Sequence, residues 1–464
     1  MVSADAGPLR RCDLLIHGAV VVTADAGQPV IRDGAVAITA GRIAAVGRTE
    51  DVRALFEADK QLLARGKVVT PGLVNSHLHV SQHLLRGFVP LTVKDNRSYL
   101  FDWVFPYYAA LGQEEEYLAA TLAGCDLLRH GITLVADGGT VRHPGAVADG
   151  LASTGIRAFM GTWAWDHPAT PERLSMNTAQ ALDRINSALS EISGRHDRVR
   201  PLVSTVGLGL SSDALLVGAK ALADEHGTFL DFHQSFDEDE VQSHSSAFGP
   251  DVAPVEHLER LGVLSNNVRL IHQLITDDHE WDAIQDAGAS VVRCTGTRAG
   301  RDLAALRARG IPVGVGTDTV NVSNTSDVLR AAHVFAAQIR EPDNDDAGVV
   351  TVDDLFGMCT IAGARTLGAG DFLGSLEVGK RADLVVFDAR RPEWTPLLDP
   401  ISQLVLSADG GSVESVLIDG EFVLDRGQVV GVDEGALYEE AESAAANVLE
   451  RMNATARIEK RALR

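Results

Sequence analysis

Residues 68–80 read VVTPGLVNSHLHV. Two apolar runs meet at Pro71 and Gly72, and the second ends in His77-Leu78-His79. Alternate residues of a strand project to the same side, so these two histidines can offer both imidazoles to one metal ion. Short apolar runs then recur along the chain: GITLVADGG (131–139), IRAFMGTW (156–163), PLVSTVGLGL (201–210), TFLDFHQSF (228–236), VRLIHQLI (268–275), ASVVRCTG (289–296) and IPVGVGTDT (311–319). Stretches with helical periodicity lie between them, such as 114–130 and 325–340. Near-continuous apolar strands alternating with helices imply a parallel sheet covered on both faces. Eight strand–helix units in about 300 residues predict an α/β fold, a (β/α)8 TIM barrel over 71–369. The histidine pair then stands at the C-terminal end of the first strand, where such barrels keep their active sites. A doubly wound open sheet is the alternative, but no Gly-x-Gly-x-x-Gly turn follows an early strand.

Outside this middle the texture changes. DLLIHGAVVVTAD and GAVAITAGRIAAVG near the start, and RADLVVFD (381–388) and SVESVLIDGEFVLDRGQVVG (412–431) near the end, alternate β-branched runs with Gly and Asp turns. They read as antiparallel strands, and predict one small β-sandwich domain built from 1–70 and 370–431. Residues 432–464 read as a helical tail, packed outside the barrel or on a neighbouring subunit.

The 464 residues carry a formal net charge of -23, which repels phosphate backbones and argues against nucleic-acid binding. The four cysteines, Cys12, Cys125, Cys294 and Cys359, form no close pair and read as reduced thiols. No stretch approaches the roughly 18 apolar residues of a membrane span, and the first 20 residues lack the apolar core of a signal peptide. A cytoplasmic protein without membrane contacts is expected.

Three more positions join the histidine pair. His233 ends the fifth barrel strand and supplies a third nitrogen. Asp318 ends the eighth, in VGVGTDT, where small residues leave room for a ligand. His272 ends the sixth. Three imidazoles and a carboxylate suit zinc first, with cobalt, iron or manganese as alternatives, and are too nitrogen-rich for magnesium or calcium. The aromatic segment from Trp103 to Tyr108, together with Trp163 and Trp165, reads either as a wall over the substrate or as packing. Arg157 and Arg298 read either as groups that orient a substrate carbonyl or, more commonly for arginine, as surface residues.

The strings VVTPGLVNSHLHVSQHLLRG, GTDTVNVSN and GSLEVGKRADLVVFD resemble the amidohydrolase superfamily, within its branch of cytosine, guanine, adenosylhomocysteine and s-triazine hydrolases. The resemblance runs from about residue 12 to 431. It implies a single metal on His77, His79, His233 and Asp318, with His272 at the hydrolytic water or the substrate oxygen. A carboxylate at Asp318 can then also take the proton as water attacks and pass it to the leaving group. Two-metal members of the superfamily need a lysine, usually on the fourth strand, and PLVSTVGLGL has none. Homo-oligomers are common among such proteins and are expected here.

The departures from the pattern steer the functional expectation. Deaminases of this branch carry His-x-x-Glu on the fifth strand, and the glutamate moves a proton to a ring nitrogen. Phe236 stands there instead, and a phenyl group cannot carry a proton. Ile275 replaces a second histidine after the sixth strand, and Arg293-Cys294-Thr295 replaces His-Asn-Pro after the seventh. With Cys294 and Phe236 among the substrate contacts, these changes suggest an apolar substrate. The expectation is a hydrolase of ureas, carbamates, thiocarbamates or amides, such as phenylurea or thiocarbamate herbicides, and so a role in xenobiotic breakdown. The alternative is an aminohydrolase or chlorohydrolase of an s-triazine, purine or pyrimidine ring, with Glu238 or Asp237 as a displaced acid.

Overall fold

Gly72 divides residues 68–80 between two layers. In the computed structural model, Lys67–Pro71 runs antiparallel to Leu384–Asp388, with Val69 opposite Val386 and Pro71 opposite Leu384. Leu73–Leu78 starts one residue later and pairs in parallel with Ile132–Asp137. The close approach requires a residue without a side chain, because a Cβ on Gly72 would stand 1.9 Å from Thr133 Oγ1. The structure describes all residues except 1–8, 26, 91–92, 94, 168–173, 208, 250, 296–298, 342–347 and 454–464. Arg298 therefore lies outside the described residues.

The first layer is a nine-stranded sheet drawn from both ends of the chain. Arg10–Val22 and Val30–Thr39 pair antiparallel, as do Val30–Thr39 and Arg42–Arg48. Leu384–Asp388, Val413–Ile418, Glu421–Asp425 and Gln428–Val429 continue the sheet on the other side of Lys67–Pro71. Alternation places Ile16 in one apolar cluster with Val36 and Leu384, and its neighbour Leu15 in another with Ala35 and Phe56. Phe56–Leu63 adds a strand that the sequence reading did not anticipate; it pairs in parallel with Arg10–Val22. Its pattern FEADKQLL is too polar to signal a strand by alternation.

The middle of the chain forms an α/β fold of parallel strands. Leu73–Leu78, Ile132–Asp137, Arg157–Met160 and Val199–Pro201 make one sheet. Val203–Gly207, Leu230–Gln234, Val268–His272, Ser290–Cys294 and Val313–Gly316 make the other. At Leu202 the chain passes from one to the other: the Leu202 amide donates to the Met160 carbonyl and the Val203 amide to the Phe229 carbonyl. On the far side a parallel bridge joins Leu78 to Asp318. Helices follow the strands, and their starts are written in the sequence. Asn177 and Asp277 form capping boxes with Gln180 and Glu280, while Ser212, Asp237 and Asp327 accept from amides of their own first turns.

Arg157 ties the two layers together. It stands at the start of its strand, with its guanidinium buried between Asp383, 2.7 Å away, and Asp419 of the end sheet. Arg198 and Arg381 also reach Asp419, at 3.1 and 2.6 Å. Arg157 is thus an interlayer anchor at the opposite strand end from the histidines, and the expectation that it orients a substrate is corrected. The helix Glu434–Arg451 packs on its own chain, with Val448 against Leu85, Phe88, Tyr107 and Leu111. Among the described residues, no helix is long and apolar enough to cross a membrane.

Removing Asp383 leaves the buried Arg157 guanidinium to Asp419 alone and the Asp419 amide without its acceptor, a loss of about 1–3 kcal/mol. Asp383→Ala is therefore expected to lower the midpoint of urea unfolding clearly, whereas Asp388→Ala at the exposed end of the same strand leaves it in place. Equal midpoints for the two variants would show that the Arg157 anchor contributes little.

Candidate metal centre

The strand Leu73–Leu78 is buried along its whole length, so the imidazole of His77 is carried out of water with its backbone. Both ring nitrogens of His77 lack a hydrogen-bond partner. Burial, together with the neighbouring His79 and His233, holds its pKa well below the usual histidine value. An unpartnered buried imidazole is costly unless something accepts its lone pair. His79 and His233 bring their rings to centroid distances of 4.8 and 5.0 Å from His77. Ligand atoms of all three lie within 4.8 Å of one another, a group that could hold a metal ion.

The remaining nitrogens of the other two rings are engaged. His233 Nδ1 donates to the Val206 carbonyl at 2.8 Å, which leaves Nε2 with its lone pair free for an ion. His79 Nδ1 lies 2.7 Å from Thr140 Oγ1. Burial, then His272 and His79, lower the His233 pKa to about 3, so the ring is neutral and ready to ligate at neutral pH. Asp318 completes the group: Oδ1 is 3.3 Å from His79 Nε2 and 3.8 Å from His77 Nε2, and Oδ2 is 3.9 Å from His272 Nε2. Although burial opposes its charge, the surrounding imidazoles hold this carboxyl far below the usual range. Asp318 and His272 both have positive φ, 59° and 76°, a conformation costing about 1–3 kcal/mol for such residues. It occurs where two strand ends turn their side chains toward the same space.

Glycines make that space. A Cβ on Gly138 would stand 2.5 Å from His79 Cε1 and 2.7 Å from His77 Cε1. Asp137 holds the surrounding loop by accepting from the Val80 amide at 2.9 Å and the Gly139 amide at 2.8 Å. Three imidazoles and a carboxylate are a donor set that fits a divalent ion of the zinc type.

The aromatic residues separate into two sets. Trp163 stands beside the group, 5.3 Å from the His79 ring and 5.8 Å from the His233 ring. Phe236 lies edge-on to His272 at 4.7 Å. Trp165 instead packs on Phe105 and Tyr108, with its indole N–H donating to the Leu174 carbonyl. Trp103 packs on Phe88 in the cluster that includes Val448. The segment 96–110 is helical, with a π-turn over Leu100–Val104. Its Tyr99 reaches beside the site, with its hydroxyl bonded to Gln82, Thr319 and Asn321. Sequence reasoning missed this network, because nothing in the spacing connects Tyr99 with Thr319.

The fifth-strand turn also holds a surprise. Glu238 is exposed, and Asp237 is committed to capping its helix and to Asn96. Glu240 folds back instead, and its Oε2 accepts from the Phe236 amide at 2.8 Å. Withdrawal from water raises its carboxyl to about 7. The Asp-x-x-Glu spacing of 237–240 was the available signal, since an acid at that position of a helix reaches back to the preceding amides.

The amidohydrolase family model matches residues 68–423. The chain belongs to the amidohydrolase family. It is 31% identical over 436 residues to a 5-methylthioadenosine/S-adenosylhomocysteine deaminase of Syntrophobacter fumaroxidans, covering 91% of this chain and 96% of the relative. It is 30% identical over 441 residues to a 5'-deoxyadenosine deaminase of Methanothermobacter thermautotrophicus, covering 94% and 98%. Among solved structures it resembles a zinc-bound adenosine deaminase from Xanthomonas campestris, with 27% identity, a TM-score of 0.86, and 95% and 99% of the two chains covered. It also shares the fold of the zinc complex of atrazine chlorohydrolase TrzN from Arthrobacter aurescens, at a TM-score of 0.83 and 21% identity, over 93% of this chain and 100% of that one.

The deaminase relatives overturn the expectation of a urea, carbamate, thiocarbamate or amide hydrolase, and with it the phenylurea and thiocarbamate substrates and the xenobiotic role. That expectation hung on Phe236 and on the polar groups replaced at Ile275 and Cys294. A few strand-end side chains do not outweigh a similarity to adenosine-type deaminases running through nine-tenths of the chain. The same turn also keeps a protonatable carboxyl four residues further on.

Adding a methyl at Gly138 tests the metal centre without touching a ligand. Gly138→Ala is expected to push the His77 and His79 rings apart and weaken zinc binding about 10- to 100-fold, read by competition with a chromophoric chelator. A circular dichroism spectrum unchanged from the parent shows that the fold is intact. Undiminished affinity would mean that these rings are not the ones that hold zinc.

Proposed function

We propose that this amidohydrolase-family protein is an aminohydrolase of adenosine-type nucleosides, replacing the purine amino group by oxygen and releasing ammonia. The observation that carries the reading is the convergence of His77, His79, His233 and Asp318 in a chain aligned end to end with deaminases of such nucleosides. We take the parallel strands as one (β/α)8 barrel over 71–369, the nine-stranded sheet as a β-sandwich domain of 1–70 and 370–431, and 432–464 as a helical tail. The assembly is taken to be a cytoplasmic homo-oligomer.

One zinc ion on those four residues supplies, when bound, an activated water as nucleophile. The chain's own groups do the rest. Asp318 is ionised and faces the imidazoles, so it takes the proton released as water attacks the amino-bearing carbon, and passes it to the departing amine. His272 lies across the carboxylate and is positioned to donate to the developing oxygen. Trp163 and Phe236 flank the cluster and give a flat ring apolar faces. With Phe236 unable to move a proton, Glu240 is assigned to hold the one that the ring nitrogen needs. Its carboxyl is anchored to the Phe236 amide, and at about 7 it is half-protonated near neutral pH.

The first test is conversion of adenosine, 5'-deoxyadenosine, 5'-methylthioadenosine and S-adenosylhomocysteine by the zinc-loaded protein, followed by loss of adenine absorbance and by product mass. Turnover of at least one is expected; no turnover of any removes the reading. Glu240→Gln keeps an oxygen for the Phe236 amide but carries no titrating proton. A general acid must be protonated to act, so the parent's kcat is expected to fall as pH rises through about 7. In the variant, kcat should drop by about 100-fold or more, with KM little changed and the alkaline limb lost. A variant with the parent's kcat and pH profile excludes Glu240 as the proton donor.

A further inference from the structure

Cys294 has no part in the chemistry above, yet its thiol lies inside the same space. It ends the strand Ser290–Cys294, is buried, and pairs with Gly316 of the neighbouring strand. Gly316 is bare for a reason: a Cβ there would stand 2.8 Å from Cys294 Sγ and 2.8 Å from His77 Cβ. The thiol and the first metal-competent histidine therefore share one chamber. Cys294 Sγ, a ring nitrogen of His272 and a carboxylate oxygen of Asp318 all lie within 4.8 Å of one another.

The Asp318 carboxylate faces two ways. Oδ1 points to His79 and His77, and Oδ2 to His272. The His272 side chain is only 5% exposed, and at 3.9 Å its Nε2 is too far from Oδ2 for a hydrogen bond. A buried imidazole, a carboxylate oxygen and a buried thiol thus converge without satisfying one another. That is the donor set of a site for a borderline-soft ion.

The geometry points to a second cation site on His272, Cys294 and Asp318 Oδ2, beside the first and sharing its carboxylate, for zinc or cadmium taken up in excess. The inference rests on the first ion occupying His77, His79 and His233. As the sulfur–metal bond forms, the thiol gives its proton to water; nothing is oxidised or reduced. Filling this site removes His272 and one oxygen of Asp318 from the reaction, so excess zinc or cadmium inhibits.

The test is a cadmium titration of protein carrying one equivalent of zinc, following the ultraviolet thiolate-to-cadmium charge-transfer band and the zinc and cadmium retained after gel filtration. The expected result is one equivalent of cadmium bound with zinc retained and the band present. Cys294→Ser should lose the band while still holding its one zinc; Cys12, Cys125 and Cys359 remain in that variant, so the loss isolates Cys294. Three results overturn the inference: cadmium that binds without the band, a band that persists in Cys294→Ser, or cadmium that only exchanges one for one with zinc. A protein that retains no zinc at the start defeats the first-site reading as well, and that result is read before any cadmium is added. The wild-type titration decides the matter by itself if the variant does not fold.

Discussion

The structure depends on keeping three imidazoles buried and nearly in contact around one ionised carboxylate. His77, His79 and His233 have ring centroids 4.8 to 5.4 Å apart. Protonating one of them would place a cation among its neighbours with no water to screen it. The carboxylate of Asp318 is tolerated in the same place only because those imidazoles surround it. Neither ring nitrogen of His77 has a hydrogen-bond partner, so the packing of these rings leaves lone-pair capacity that an ion would satisfy. The rest of the chamber works to hold it: Gly138 and Gly316 give up side chains, and Asp137 holds the loop after the second strand.

The same economy explains why the ends of the chain are recruited. Only Gly72 separates the histidine strand from Pro71, the last residue of a strand in the nine-stranded sheet. The Gly72 amide donates to the Asp383 carbonyl, and the Asp383 carboxylate holds Arg157 of the third parallel strand. The end sheet thereby fixes where the first and third strands begin, and so where their opposite ends deliver His77, His79 and the Trp163 segment. Distance along the strand converts an anchor at one end into precision at the other.

The fifth-strand turn shows how a local departure can be absorbed. Phe236 fills the space beside His272, and Glu240 brings a carboxyl back to the same turn from the first turn of the following helix. Reading the phenyl group as a change of reaction treated one side chain as independent of its surroundings. A helix start is rich in unpaired amides, and an acid three residues into it commonly folds back over them. Asp237 and Glu238 were the obvious substitutes by sequence proximity, but one is spent on capping and the other points to water.

Much was legible in one dimension. The i, i+2 histidines, the small residues before Asp318 and the alternation of apolar runs with helices required only the periods of strand and helix, which are local properties of the backbone. The two β-rich ends were legible for the same reason. What tertiary structure alone decided was who meets whom. Trp103 and Trp163 look alike in sequence, yet one packs against the C-terminal helix and the other against the imidazoles. Arg157 resembles a candidate for substrate and is a buried anchor at the far strand end, and Tyr99 joins Thr319 across 220 residues. Periodicity determines the direction in which a side chain leaves its own strand or helix. The partner it finds depends on how separate elements pack, and no local period records that.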